Sequence, residues 1–192
     1  ICGKLDGKVD MIELNISCPN VKCGGMAFGI RPDSVEEVTR VSKAALQTTP
    51  LMVKLSPNVE SIAANALAAQ KGGADAVSLI NTLTGMVIDI EKRRPLLANV
   101  TGGVSGAGIK PIAVRMVWET CRAVDIPVVG MGGITCAEDA LEFMMAGAAA
   151  VQVGTANFTD PCAMPKIIDG LHAWLDAHGI ADIAEVCGAM RV

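Results

Sequence analysis

The amino-acid sequence predicts an α/β chain, one domain over residues 1–192, that forms an incomplete (β/α)8 TIM barrel. Two observations carry this expectation. First, short apolar runs alternate five times with stretches of helical periodicity, the pattern of buried parallel strands covered by helices. Second, residues suited to ligand binding stand at the C-terminal end of every strand. A barrel gathers all such ends around one mouth, whereas an open doubly wound sheet gathers only those beside its switch point. Eight units take about 250 residues, so five units are expected to be the C-terminal part, with about three more upstream. Five strands leave two open edges, and the 192 residues alone are expected to fold poorly.

The first strand is expected within Val9 to Ile16, where the β-rich run ends at Ser17, Cys18, Pro19 and Asn20. A thiol and the carboxamides of Asn15 and Asn20 therefore sit at a strand exit, a setting suited to a flat, amide-rich ligand with an acidic hydrogen. Ser34 with Glu37 predicts a capping box, and Val35, Val38, Val41, Ala45 and Leu46 an apolar helix face. Leu51 to Ser56 is the second strand, followed by an Ala-rich helix that Asn58 can cap and that ends at Gly72 and Gly73. Ala76 to Asn81 is the third.

A long excursion, Thr82 to Ile109, precedes a helix opened by Pro111 at a first-turn position. Val128 to Met131 is the fourth strand, with Thr135 and Glu138 expected to cap the next helix. Ala149 to Val153 is the fifth, and a final helix runs over about 164–177.

Composition excludes several function classes. Sixteen basic against 20 acidic residues, with no basic cluster beyond Lys92 to Arg94, give no support to nucleic-acid binding. No apolar run approaches the roughly 18 residues of a membrane helix, and no leader is visible, so no membrane partner is expected. Seven cysteines form no CxxC pair and their number is odd, which favours a reducing, cytoplasmic setting over a disulfide framework, and no metal site is expected.

The motifs ELNISCPNVKCGGMAFG from Glu13, VKLSPN from Val53, INT from Ile80, GMGGI from Gly130 and VGTANF from Val153 resemble the dihydroorotate dehydrogenase family, more narrowly its class 1B catalytic subunit. The resemblance covers essentially the whole chain and makes these strands four to eight of the barrel. It implies FMN-dependent oxidation of (S)-dihydroorotate to orotate in pyrimidine biosynthesis. It also implies a homodimer within a heterotetramer, whose partner subunit carries FAD and a [2Fe-2S] cluster and passes electrons to NAD. The neighbouring readings are a class 1A enzyme using fumarate, a dihydropyrimidine dehydrogenase, or a flavin-free barrel isomerase or lyase that grips a phosphate.

Gly-rich turns after the last two strands suit phosphate, because glycine lets backbone N–H groups approach its oxygens. By resemblance Gly132, Gly133, Gly154 and Thr155 grip the FMN phosphate, while Asn15, Ile80 and Gly106 also contact the cofactor. Lys54, a charge inside an apolar strand, is expected to face the flavin and stabilise negative charge there. Cys18 is the expected base, taking the C5 proton of dihydroorotate as hydride leaves C6. Asn15, Asn20, Asn81 and Thr82 are expected to hold the pyrimidine, since buried amides reject ligands that leave them unpaired. Cys23 to Gly29 reads as a mobile flap, His172 and His178 as structural, and the segment around Lys92 to Pro95 as an exposed hairpin available for dimer contact.

Overall fold

In the computed structural model residues 1–17 and 26–191 are described, and Cys18, Asn20 and the Cys23–Gly25 part of the expected flap lie outside them. Five parallel strands form one sheet: β1 (Ile12–Asn15), β2 (Leu51–Lys54), β3 (Ala76–Leu79), β4 (Val128–Met131) and β5 (Ala150–Gln152). Their spatial order equals their chain order, each strand pairing with the next. A doubly wound sheet must reverse order at its switch point. The unreversed order therefore decides for a barrel segment.

Alternation along the strands divides the residues between two faces. Ile12, Leu14, Leu51, Val53, Val77, Leu79 and Val151 pack into the core under the helices. Glu13, Lys54, Ser78 and Gln152, at positions of the other parity, face what would be the barrel interior. The helices α1 (Pro32–Ala44), α2 (Ile62–Lys71), α3 (Lys110–Cys121) and α4 (Ala137–Met145) follow β1 to β4 in turn, and α5 (Ala163–His178) follows β5. Close docking explains one glycine: a Cβ at Gly130 on β4 would stand 2.6 Å from the Phe143 ring of α4.

Three helix starts differ from expectation, and each has a local cause. α1 begins before Ser34, with extended Arg31 as its N-cap and Pro32 in the first turn. Proline's fixed φ and missing N–H suit that position, which leaves Ser34 inside the helix and Glu37 free to pair with Arg40 at 2.7 Å. α2 is capped by Ser61, whose Oγ accepts from Ala64 N–H, because Asn58 is occupied elsewhere. α4 starts one residue later than expected, with Cys136 as N-cap and Asp139, not Glu138, accepting its N–H. The apolar face of α1 also turns further than predicted: Val35 and Thr39 are buried, whereas Val41 is 56% exposed.

The excursion folds as two small antiparallel ladders, Leu83–Gly85 with Gly102–Val104 and Ile88–Asp89 with Arg94–Pro95, then a single turn at Ala107–Ile109. The hairpin around Lys92 is present, and it carries exposed apolar side chains, Ile90 at 79% and Leu96 at 63%. α3 opens with Pro111 in its first turn. His178, at the last turn of α5, stacks on Trp174 with ring centroids 4.0 Å apart. Among the described residues no helix is long and apolar enough to cross a membrane.

Candidate functional site

The strand ends converge on a cavity of about 420 Å³, within the size range of small-molecule sites. Its floor is made by Lys54 and Gln152 at the ends of β2 and β5, with Met131 between them. Lys54 Nζ lies 3.3 Å from Glu13 Oε1. The other oxygen of the same carboxylate accepts from Ser78 Oγ at 3.1 Å and from Gln152 Nε2 at 2.9 Å. One acid on β1 thus ties together β2, β3 and β5 beneath the cavity.

The β3 exit builds the second wall from Ile80, Asn81 and Thr82. Asn81 Nδ2 donates to Ser17 Oγ at 2.7 Å, and Ser17 Oγ donates to Asn15 Oδ1 at 2.8 Å. Because the Ser17 backbone N–H also donates to that atom, at 3.1 Å, the orientation of the Asn15 amide follows from the network. Its NH2 group is left without a partner among the described residues. Asn58, the residue expected to cap α2, spans this wall instead, giving Nδ2 to Thr82 C=O at 3.0 Å and taking Thr84 N–H at 2.9 Å.

At the β4 exit Gly132 and Gly133 have φ of +129° and +81°, a region that side chains with a Cβ rarely enter. Gly133 is also closely overlaid, since a Cβ there would stand 2.8 Å from Gly106 C=O and 3.0 Å from Lys110 N. The turn is fixed at its far end by Asp139, which accepts from Thr135 N–H and Oγ1 at 2.8 and 2.7 Å and pairs with Lys110 at 2.7 Å. Burial pushes the Asp139 carboxyl up, but the hydrogen bonds from Lys110 and Thr135 outweigh it and hold the acid well below the usual range. Lys110, between Asp139 and Glu142, is raised above its ordinary value by those bonds.

At the β5 exit a Cβ added to Gly154 would meet nothing within 4 Å, so this backbone is open to a ligand. Thr155 Oγ1 donates to Ser105 Oγ at 2.9 Å, closing the rim between the β5 exit and the returning excursion. The N–H groups of Gly133, Gly154 and Thr155 donate to no protein acceptor among the described residues.

Of the predicted residues, Lys54, Ile80, Asn81, Thr82, Gly106, Gly132, Gly133, Gly154 and Thr155 all line this one cavity. Asn15 does not line it, but is joined through Ser17 to Asn81, which does. Cys18 and Asn20 lie outside the described residues. Sequence reasoning missed Glu13, Ser17, Ser105 and Gln152. Glu13 and Gln152 carried a usable signal, a polar residue inside an apolar strand, the same signal that singled out Lys54. Gly29, read as part of a mobile flap, is buried against the Ile16 carbonyl, and Asn65 Nδ2 holds its C=O at 2.9 Å. It is an anchor point, because the amide of a fully enclosed side chain fixes it.

The chain is 57% identical over 192 residues to the dihydroorotate dehydrogenase B (NAD(+)) catalytic subunit of Bacteroides fragilis, and 56% over 193 residues to that of Trichlorobacter lovleyi. In both cases all of this chain is covered but 63% of the relative, so the chain spans somewhat under two thirds of their length. A crystal structure of dihydroorotate dehydrogenase from Eimeria tenella, in complex with ferulenol, superposes with a TM-score of 0.80 at 23% identity, covering 94% of this chain and 54% of that one. At that identity the likeness shows the fold, and it agrees with the strand order in assigning a barrel segment. Residues 1–175 match the dihydroorotate dehydrogenase family model. With the ends of β2 to β5 gathered on one cavity, a family model matching residues 1–175 and relatives more than half identical along its whole length, the chain belongs to the dihydroorotate dehydrogenase family.

Proposed function

We propose that this chain supplies the C-terminal part of the catalytic subunit of a class 1B dihydroorotate dehydrogenase, oxidising (S)-dihydroorotate to orotate. The observation that supports it most is the placement of a lysine floor, an amide wall and two glycine turns around one cavity. The residues fit FMN. Gly154 offers open backbone, Gly133 is held at positive φ, and N–H groups on both turns have no protein acceptor among the described residues. Gly132, Gly133, Gly154 and Thr155 would hold the phosphate, with Gly106, Ile80 and Asn15 about the rest of the cofactor and Lys54 beneath the ring. When bound, FMN supplies the hydride acceptor.

Everything else falls to the chain. Asn81 and Asn15, locked by Ser17, present N–H donors to the oxygens of the pyrimidine, with Thr82 and Asn20 beside them. Cys18 removes the C5 proton, its thiolate acting as the base. The electrons go on to NAD through a partner subunit with FAD and a [2Fe-2S] cluster, and the catalytic subunit pairs with itself through the hairpin that exposes Ile90 and Leu96.

The test uses the full-length protein, mixed anaerobically with dihydroorotate while flavin absorbance is followed. Bleaching in the parent and its loss in Cys18→Ala, with FMN retained, is the expected result. A yellow protein that does not bleach would remove the substrate assignment. A colourless one would favour a flavin-free barrel that grips a phosphate.

A further inference from the structure

Beneath the floor of the cavity lies a carboxylate, Glu13, to which the proposed chemistry gives no role. Glu13 does not line the cavity, yet its carboxylate contacts both polar side chains of the floor, Lys54 at 3.3 Å and Gln152 at 2.9 Å. The same carboxylate also accepts from Ser78 Oγ at 3.1 Å, and that serine is fully buried. A structural cross-brace would need only neutral hydrogen bonds, whereas this half-buried position carries a full carboxylate beside an ammonium. Among the described residues its one charged partner is the ammonium of Lys54.

We propose that Glu13 is a positioning residue that holds Lys54 at the cavity floor and offsets part of its charge, and so sets the midpoint potential of the bound flavin. The inference rests on the reading of the cavity as an FMN site. Two consequences follow from the geometry. An ammonium tethered from below cannot swing up against whatever occupies the cavity, so Lys54 is kept at a fixed depth. A carboxylate beside it also lowers the net positive potential at the floor, which disfavours the electron-rich form of a ligand above it. Removing the charge while keeping the shape, as in Glu13→Gln, therefore favours that form. The midpoint potential should rise.

The experiment measures the potential of bound FMN in the full-length protein by dye equilibration, for the parent, Glu13→Gln and Ser78→Ala. Glu13→Gln is expected to favour the two-electron-reduced state by about tenfold, a rise of ~30 mV for a two-electron couple. Ser78→Ala deletes one hydrogen bond to the same carboxylate without removing charge, and is expected to leave the potential at the parent value. A Glu13→Gln potential equal to the parent's, or an equal rise in Ser78→Ala, would overturn the proposal and leave Glu13 as a brace. Should Glu13→Gln fail to retain flavin, Glu13→Asp takes its place, with a part-way rise expected because the charge is drawn back from Lys54. Loss of folding in both would also overturn it. If the parent itself holds no FMN, the cavity reading fails, an outcome visible before any variant is made.

Discussion

Gly133→Ala isolates the backbone requirement of the β4 exit. The new methyl would stand 2.8 Å from Gly106 C=O and 3.0 Å from Lys110 N, both backbone atoms, so rotation of a side chain cannot relieve it. The residue would also have to hold φ of +81°. Left-handed backbone costs a residue with a Cβ roughly 1–2 kcal/mol, and forcing apart a packed contact roughly 1–3. Together the cost is about 2–5 kcal/mol. With a urea slope of about 1–3 kcal/mol/M, the unfolding midpoint of the full-length protein should fall by on the order of 1–2 M. Gly154→Ala is the internal control. Its methyl meets no protein atom within 4 Å, so stability should stay within about 0.5 kcal/mol while FMN affinity drops, because the methyl occupies cavity space. A Gly133→Ala midpoint equal to the parent's would refute the overlay of these two loops, and equal losses in both variants would refute the division between support and contact.

Three further outcomes are expected. Asp139 has a folded pKa below its unfolded value of about 3.9, so its stabilisation is present above that pH and is lost as pH falls through the folded value. Asp139→Asn should then destabilise by about 1–2 kcal/mol at pH 7, with a gap that narrows below about pH 4; urea curves showing the same gap at pH 3 would contradict this. Burial pushes the Cys121 thiol up to about 11, so in timed iodoacetamide labelling at pH 8 it should react after the exposed Cys136 and Cys162, and early labelling would show α3 to be less tightly packed than described. If the full-length protein pairs as proposed, Ile90→Asp at the hairpin tip should shift it from dimer to monomer in sedimentation; an unchanged dimer would place the contact elsewhere, and a monomeric parent would remove the pairing.

What the sequence revealed was set by how local each cause is. The barrel units were legible because a short apolar run marks each strand and a period of 3.6 residues marks each helix. The glycines were legible because a positive φ at Gly132 or Gly133 is a property of one residue. Helix starts were displaced by one to three residues where several residues could open a helix, as at Arg31, Pro32 and Ser34, since spacing alone cannot rank them. The floor of the cavity was the least legible part. Lys54 announced itself as a charge in an apolar strand, but Glu13 lies on another strand, and only the register of β1 against β2 brings the two together. Ser105 and Thr155 meet at the rim across a separation of 50 residues, a contact that only the tertiary fold makes.

The bond between Glu13 and Gln152 spans 139 residues, and that distance is also an interval of time. A ribosome adding about 5–20 residues per second delivers Gln152 on the order of ten seconds or more after Glu13. Lys54 and Ser78 emerge well before it. During synthesis the carboxylate therefore meets its cation first and its amide last, and the floor closes only when the fifth strand docks. Any slowing of translation between Ser78 and Gln152 prolongs the period in which this acid is held by fewer partners and open to water.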